Sequence, residues 1–206
     1  MIESHFVLYS SPDHICRGTL HEALSKLNGK PALILETGSS AWGSNSSLLF
    51  DAYVNQYGGS FETVDLRMEP SISLHTKCSA NTLLHCDDSV HFLEQWSKGN
   101  PGVKIDLLYL DSWDVDWNNP NPSSMHGMAE FLATSGHLHS GSLLLIDDTP
   151  ANEKFFASAQ TELLNFKNFY IENGFYPGKG ALVKALLKAN GRGKEIMHQY
   201  QLLWEF

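Results

Sequence analysis

The residues best suited to chemistry in this sequence are acids that directly follow short apolar runs. Four such runs end in acids, at Glu36, at Asp65, at Asp111 and at the adjacent Asp147 and Asp148. Short runs without strict alternation are typical of strands that are buried on both faces of a parallel sheet. Because ligands bind such sheets outside the carboxyl ends of the strands, we expect these acids to line a ligand site.

The stretch between the first strand and the next helix has the composition of a ligand-binding loop. Gly38 and Gly43 hold the outer positions of a G-x-G-x-x-G pattern, in which glycine permits a tight turn and close approach to a ligand. Ser40 replaces the middle glycine, which weakens the match to a pyrophosphate-binding loop. Glu36 would repel a pyrophosphate and attract a cationic ligand. Trp42 lies within the loop and is expected to line the pocket.

The second acid is placed where a ribose would bind. Asp65 follows the second strand, and at this position a carboxylate can accept hydrogen bonds from both ribose hydroxyls. A glycine loop followed by such an acid indicates a cofactor that contains a nucleoside. The alternative is a loop that only packs tightly, since a glycine pattern alone is weak evidence.

The acids after the last two apolar runs indicate a metal. If the two strands are neighbours, Asp111, Asp147 and Asp148 meet at one edge, where they repel one another unless a cation or protons intervene. Oxygen ligands suit Mg²⁺, which could bind a substrate hydroxyl and lower its pKa. The alternative for Asp111 is a contact with the cofactor or its ribose, without a metal.

Apolar runs and helical patterns alternate along the chain. Strands are expected at residues 32–35, 61–64, 105–110, 143–146 and 198–206, with the third strand in sequence at 71–74 or 81–85. Helical patterns cover residues 19–27, 46–56, 88–99, 125–134, 155–169 and 181–189. This alternation predicts an open α/β sheet with right-handed crossovers.

Length and composition narrow the class of protein. The 206 residues suit one domain, with a helical appendage (1–30) before an α/β core (31–206) and a surface loop at 118–124. The net charge of −9 leaves no basic stripe for a nucleic acid. No apolar run approaches the about 18 residues of a membrane span, and the start lacks the cationic region of a signal peptide. Three cysteines build no disulfide framework, so a cytoplasmic protein with reduced thiols is expected.

Three segments resemble motifs of the class I S-adenosylmethionine-dependent methyltransferases. The stretch ETGSSAWGS at 36–44 is similar to their first motif, VDL at 64–66 to their second, and DDSVHFL at 87–93 to the segment near the adenine. The resemblance implies a Rossmann-like, mostly parallel seven-stranded sheet flanked by helices, with an antiparallel strand at the C-terminal end, and S-adenosylmethionine as cofactor. The cofactor residues that it implies are Glu36, Gly38, Ser39, Ser40, Gly43, Ser44, Asp65, Leu66, Asp87 and Asp88.

The last two strand ends resemble those of metal-dependent O-methyltransferases of the catechol and macrolide-sugar types. The matching features are the L-D-x-W pattern at 110–113 and the paired acids at 147–148. The resemblance implies that Asp111, Asp147 and Asp148 bind the metal. It also implies that Ser112 and Trp113 lie near the adenine, and Asp111 is expected with them among the cofactor-binding residues.

The position of the general base departs from both types. The catechol enzymes have a lysine, and the sugar enzymes a histidine, at the position that maps to Asp114 here. An aspartate, with an ordinary pKa near ~3.9, is a weak base unless burial raises that value. Asp114 and His126 are therefore the catalytic candidates, and His137 and His139 also fall between the two strands that carry the metal ligands.

These features predict a methyltransferase that acts on a hydroxyl of a small-molecule acceptor with the help of Mg²⁺; a homo-oligomer is left open. One alternative is an NAD(P)-dependent oxidoreductase, which Ser40 and Glu36 disfavour. The other is a non-catalytic protein that binds an adenosyl ligand, which Asp114 favours because the expected lysine or histidine is missing there.

A lysine between two glycines near the C-terminus resembles part of a phosphate-binding loop. Lys179 stands between Gly178 and Gly180, but no serine or threonine follows the lysine, so the P-loop pattern is not met. A solvated loop is the expected setting of Lys179, with contact to an anionic substrate or a helix end as alternatives.

Overall fold

A computed structural model describes residues 2–41 and 43–206 of the chain. Within these ranges eight α-helices and seven β-strands alternate along most of the sequence. The helices are α1 (Ile2–Tyr9), α2 (Arg17–Leu27), α3 (Ser46–Tyr57), α4 (Met68–His75), α5 (Ser89–Gly99), α6 (Asn121–Thr134), α7 (Gln160–Asn173) and α8 (Ala181–Ala189). The strands are β1 (Ala32–Thr37), β2 (Gly59–Asp65), β3 (Thr82–Cys86), β4 (Ile105–Leu110), β5 (Leu138–Ile146), β6 (Lys194–His198) and β7 (Leu202–Glu205).

The strands form one sheet in the order β3-β2-β1-β4-β5-β7-β6. Strands β1 to β5 pair in parallel, and β7 runs antiparallel to both of its neighbours. The predicted Rossmann-like sheet with an antiparallel strand at the C-terminal end is therefore confirmed. In the register, Thr37 of β1 pairs with Leu110 of β4, and Leu110 pairs with Ile146 of β5. The residues that follow these three strands consequently share one edge of the sheet.

Helices cover both faces of the sheet, which is why the central strands carry uninterrupted apolar runs. On one face, Leu107 of β4 belongs to a buried cluster with Leu20 of α2 and Phe50 of α3. On the other face, Leu108 belongs to a cluster with Leu93 of α5 and Phe131 of α6. The two successive leucines point to opposite faces, as the period of two in a strand requires. None of the described helices combines the length and the apolarity that crossing a membrane would need.

The third strand takes one of the two placements that the sequence left open, and the predicted last strand is corrected. The third strand is β3, whereas residues 71–74, the other placement considered, lie in α4. Leu74 is the buried residue of α4, and Ile72 is exposed, so this stretch lacks the two-sided burial of an internal strand. The predicted last strand, 198–206, is divided between the end of β6 and β7.

Two helices begin at other residues than the patterns predicted. Helix α6 begins at Asn121, inside the stretch expected to be a surface loop, because Pro122 is tolerated in the first turn of a helix. Helix α7 begins at Gln160 rather than at residue 155. The Asn152 side chain accepts a hydrogen bond from the Lys154 backbone N–H (2.9 Å), and this contact caps a separate 3-10 turn.

Candidate active site

The glycine loop after β1 lies against the end of β4. Gly38 has φ +77°, and a Cβ added there would lie 2.2 Å from the Asp111 carbonyl oxygen, so only glycine fits. Gly43 has φ +76°, and a Cβ added there would lie 2.8 Å from Nε2 of the His14 side chain. Ser40 keeps the left-handed conformation, with φ +62°, although it replaces the glycine of the pattern. Trp42, expected to line the pocket, lies outside the described residues.

Glu36 is buried beneath this loop rather than turned toward a ligand. Its carboxylate is fully inaccessible and accepts hydrogen bonds from the hydroxyls of Ser46, Ser47 and Thr63, the last at 2.7 Å. The Ser47 hydroxyl in turn accepts a hydrogen bond from the Ser40 backbone N–H (2.7 Å). Burial raises the pKa of Glu36 to about 7, against the opposing effect of the three hydroxyls. In this structure Glu36 shapes the loop, and direct contact with a cofactor stays a prediction.

The two outer serines of the loop also have protein partners. The Ser39 hydroxyl is 2.8 Å from that of Thr63, and the Ser44 hydroxyl donates to the Ala41 carbonyl (3.3 Å). The Ser44 carbonyl is 2.8 Å from His5 Nε2, which ties α1 to the loop. Their predicted contacts with a cofactor remain predictions.

Asp65 follows β2, as the sequence predicted. Its carboxylate accepts hydrogen bonds from the Arg67 backbone N–H (2.8 Å) and from Arg67 Nε (3.1 Å). The Arg67 side chain is 72% exposed, so packing does little to hold it on Asp65. Leu66 is exposed beside it, and the Asp87 N–H donates to the Asp65 carbonyl (3.1 Å), which joins the ends of β2 and β3.

Asp87 and Asp88 support the start of α5. The Asp88 carboxylate caps the helix by accepting the His91 backbone N–H (3.0 Å). The Asp87 carboxylate is 2.7 Å from His91 Nδ1, and this hydrogen bond lowers the pKa of Asp87. Both residues are at the edge expected for the adenine, and their contact with it stays a prediction.

A cleft of about 340 Å³ opens on the α4 side of the glycine loop. Ser39, Ser40 and Arg67 line it together with Glu69 and Lys77. The cleft reaches the loop but not the acids that follow β4 and β5.

Ser112, Trp113 and His126 form a polar group after β4. The Ser112 hydroxyl donates to Glu130 Oε1 (2.6 Å), and His126 Nε2 lies 3.5 Å from the same oxygen and 2.8 Å from the Ser89 hydroxyl. The half-exposed Trp113 ring packs on the His126 ring, with centroids 5.1 Å apart. The contact with Glu130 raises the pKa of His126. His126 is thus held by Ser89 and Glu130 rather than by the acids after β5.

Two of the other three predicted bases lie apart from the strand-end acids. Asp114 is exposed on the loop after β4. His137 precedes β5, with Nδ1 2.7 Å from the Val103 carbonyl, and His139 Nε2 is 3.7 Å from Asp106 near the start of β4. The two histidines are therefore at the amino ends of β4 and β5, opposite the edge where Asp111 lies, which argues against their role as base.

The acids after β4 and β5 converge on a lysine, and we call Asp111, Asp147, Asp148 and Lys179 the carboxylate cluster. Lys179 Nζ is 2.5 Å from Asp111 Oδ1 and 2.9 Å from Asp148 Oδ2, and the lysine side chain is 3% exposed. The expected solvated loop is therefore wrong for Lys179. A signal was present in the sequence, since Gly178 and Gly180 flank the lysine directly before a helix.

The two glycines let the lysine backbone approach the end of β5. A Cβ at Gly178 would lie 2.5 Å from the Asp148 carbonyl oxygen, and one at Gly180 would lie 2.9 Å from Thr149 Oγ1. The Lys179 N–H donates to the Asp148 carbonyl (3.1 Å), and the Gly180 N–H donates to Thr149 Oγ1 (2.9 Å). These contacts place the lysine side chain between the strand ends.

Side chains from other elements enclose the cluster. The Tyr109 hydroxyl is 3.4 Å from Asp111 Oδ2 and 3.3 Å from Asp147 Oδ2. The Tyr200 hydroxyl donates to Asp148 Oδ1, and Cys16 Sγ is 3.7 Å from Asp147 Oδ1. Asp148 has φ +41°, a sparsely populated conformation for a residue with a side chain.

The three acids and the lysine of the cluster shift one another's pKa values. Burial and the charge of Asp147 raise the pKa of Asp111 far above its usual value, although Lys179 opposes the rise. Burial and the charge of Asp148 likewise raise the pKa of Asp147. Burial alone would lower the pKa of Lys179, but the three neighbouring carboxylates outweigh burial and raise it, so the lysine is an ammonium ion.

The predicted magnesium site does not fit these side chains as they lie. The three predicted ligands do come together, but the Lys179 ammonium occupies the space between Asp111 and Asp148. Within residues 2–41 and 43–206, no group of three or more histidine, cysteine, aspartate or glutamate side chains is arranged to hold a metal ion.

The sheet order is that of the Rossmann-like methyltransferase fold. No protein-family model matches the sequence, and a sequence comparison with curated proteins gives no match. Solved structures do match. The O-methyltransferase TomG from Streptomyces achromogenes, involved in tomaymycin synthesis and solved with SAM, superposes with a TM-score of 0.56 at 13% identity, over 99% of this chain and 87% of TomG.

Two further structures show the same likeness. The calicheamicin methyltransferase CalS11 gives a TM-score of 0.61 at 12% identity, over 99% of this chain and 84% of CalS11. An O-methyltransferase from Bacillus cereus in complex with SAH gives 0.56 at 12% identity, over 100% and 90% of the two chains. This chain therefore has the fold of S-adenosylmethionine-dependent methyltransferases, and its activity must be argued from its own site.

Proposed function

We propose that this protein is an enzyme that transfers a methyl group from S-adenosylmethionine to a hydroxyl of a small molecule. The observation that carries the proposal is the contact between the glycine loop and the carboxylate cluster, where a Cβ at Gly38 would meet the Asp111 carbonyl at 2.2 Å. The loop is suited to a nucleoside cofactor, and it lies next to a group of acids that are suited to binding a hydroxyl. The fold shared with O-methyltransferases supports this interpretation.

The residues around the loop fit the cofactor. Gly38 lets the loop pack directly on the end of β4, and Asp65 is a carboxylate at the strand end where ribose hydroxyls bind. When bound, S-adenosylmethionine supplies a methyl group on a positively charged sulfur: the acceptor oxygen forms the new C–O bond while the electrons of the C–S bond stay on sulfur. The ionised carboxylates of the cluster favour a sulfonium nearby.

The cluster can orient the acceptor and take up its proton. The side chains of Asp111 and Asp148 are 10% and 18% exposed, so an acceptor hydroxyl can donate a hydrogen bond to either carboxylate. We assign the proton to Asp111, whose backbone touches the glycine loop. Burial and the charge of Asp147 raise the pKa of Asp111, so its ionised form is a stronger base than an ordinary aspartate and becomes more abundant as the pH rises. Neither Asp114 nor His126 takes up the proton in this mechanism.

Calorimetric titration with S-adenosylmethionine and S-adenosylhomocysteine tests the cofactor. The wild type should bind, and Asp65→Asn should bind at least about tenfold more weakly because a charged acceptor for the ribose is lost. Glu172→Gln, which removes an exposed carboxylate on α7, should bind like the wild type. A wild type that binds neither nucleoside would refute the proposal.

Formation of S-adenosylhomocysteine with a panel of small hydroxyl compounds tests the chemistry. With an acceptor in hand, Asp111→Asn should lower turnover strongly and leave the binding of S-adenosylhomocysteine, which has no sulfonium, near the wild-type value. Cofactor binding with no turnover on any acceptor would favour a protein that binds an adenosyl ligand without catalysis.

A further inference from the structure

The three strand-end acids require a cation, and the chain itself contains one at that place. We propose that Lys179 is the resident cation of the carboxylate cluster, in the position that the sequence assigns to a divalent metal, and that it positions Asp111 and Asp148 for the acceptor hydroxyl. The second part rests on the proposed function, whereas the first part concerns only how this chain binds cations.

The oxygens of the acids are already committed to protein groups. Asp111 faces Lys179 and Tyr109, Asp148 faces Lys179 and Tyr200, and Asp147 faces Tyr109 and Cys16. The Tyr109 hydroxyl has one hydrogen and can donate to only one of the two oxygens that it faces, so five of the six carboxylate oxygens have a donor within the chain at any one time. A divalent ion would have to displace several of these partners before it could coordinate.

The backbone holds the ammonium in place. Gly178 and Gly180 pack on Asp148 and Thr149 so closely that a Cβ at either glycine would clash. The Ser124 hydroxyl donates a hydrogen bond to the Gly178 carbonyl (2.7 Å). A Cβ added at Gly127 would lie 2.7 Å from the Lys179 carbonyl oxygen, so α6 packs directly on the lysine backbone. The Lys179 backbone is therefore anchored from both the end of β5 and α6, and its side chain is 3% exposed.

A built-in ammonium changes how the site would work. It carries one charge rather than two, so repulsion among the three acids is relieved only in part. A second cation would meet the ammonium at short range, and like charges disfavour binding there. With two carboxylates held by Lys179, an acceptor hydroxyl can be oriented by Asp111 and Asp148 without any added ion.

Binding of Mn²⁺, measured by calorimetry and by electron paramagnetic resonance, tests this assignment. Wild type should show no saturable site that depends on the cluster. Lys179→Met removes the ammonium and leaves the three acids, so it should gain one Mn²⁺ site at least about tenfold tighter than any in the wild type. Lys188→Met, at a lysine that is 60% exposed, removes the same charge outside the cluster and should gain none.

The gained site should disappear when Asp148→Asn is added to Lys179→Met. If Lys179→Met is destabilised because its buried acids lose their partner, Mn²⁺ should raise the melting temperature of this variant and leave that of the wild type unchanged. The assignment is overturned if the wild type binds one Mn²⁺ that Asp148→Asn abolishes, whether or not the lysine variant folds. It is also overturned if a folded Lys179→Met gains no site.

This outcome is separable from that of the proposed function. S-adenosylmethionine binding, measured on the same wild-type sample, reports on the glycine loop and Asp65. Failure to bind the cofactor refutes the methyltransferase and leaves the Mn²⁺ result standing, whereas Mn²⁺ binding by the wild type refutes the resident lysine and leaves the cofactor result standing.

Discussion

Replacing Glu36 with glutamine should change how the stability of the protein depends on pH. Glu36 is fully buried under the glycine loop, and its pKa in the folded protein is raised from 4.5 to about 7. The folded state therefore holds the proton of this carboxyl more tightly than the unfolded chain does. The stability that this difference contributes is complete below pH 4.5, and it is lost as the pH rises through about 7.

The magnitude follows from the difference between the two pKa values. One pKa unit corresponds to about 1.4 kcal/mol, so the free energy of unfolding of the wild type should fall by roughly 3 kcal/mol over this range because of Glu36 alone. Other acids, such as Glu62, have a lowered pKa and contribute with the opposite sign. The difference between wild type and Glu36→Gln cancels those contributions and isolates Glu36, because glutamine does not ionise.

Urea unfolding at pH 5, 6, 7 and 8, followed by circular dichroism, measures this difference. The wild type should lose stability relative to Glu36→Gln steadily from pH 5 to pH 7 and little beyond pH 8. Glu172→Gln, at an exposed carboxylate, should keep a constant difference from the wild type. A difference between wild type and Glu36→Gln that is the same at pH 5 and pH 8 would refute the reasoning, because it would mean that the three hydroxyls fully offset burial.

Two further substitutions probe the loop and the core. Gly38→Ala should lower the free energy of unfolding by about 2 kcal/mol or more and weaken S-adenosylmethionine binding, because the new Cβ would meet Asp111 at 2.2 Å and φ is +77°. Urea unfolding and calorimetric titration measure the two effects. Gly99→Ala, with open space around it, should change neither quantity appreciably. Leu144→Ala, in the buried centre of β5, should cost about 2–5 kcal/mol in urea unfolding, whereas Leu164→Ala on the exposed face of α7 should cost well under 1 kcal/mol, and equal costs would show that β5 is not central to the core.

Local patterns were sufficient to predict much of the fold. The runs at 105–110 and 143–146 carry enough consecutive apolar residues to require burial on both faces, and they form β4 and part of β5. Asp88 and Ser89 marked the start of α5 because a capping side chain acts within one helical turn. The third strand had two candidate placements, and the predicted start of α6 was wrong, since a short apolar run and a proline are each compatible with more than one structure.

The sequence by itself determined which acids stand at the carboxyl ends of the strands, because strand ends are set by local apolar runs and parallel strands align those ends. It could not determine what those acids contact. Asp111 and Lys179 are 68 residues apart in the chain. Lys179 Nζ lies 2.5 Å from Asp111 Oδ1 only because the residues that precede α8 pack against the end of β5. Glu36 faces hydroxyls rather than a ligand because α3 and β2 enclose it. These partners come from distant parts of the chain, so only the tertiary structure decided that the acids surround a lysine ammonium.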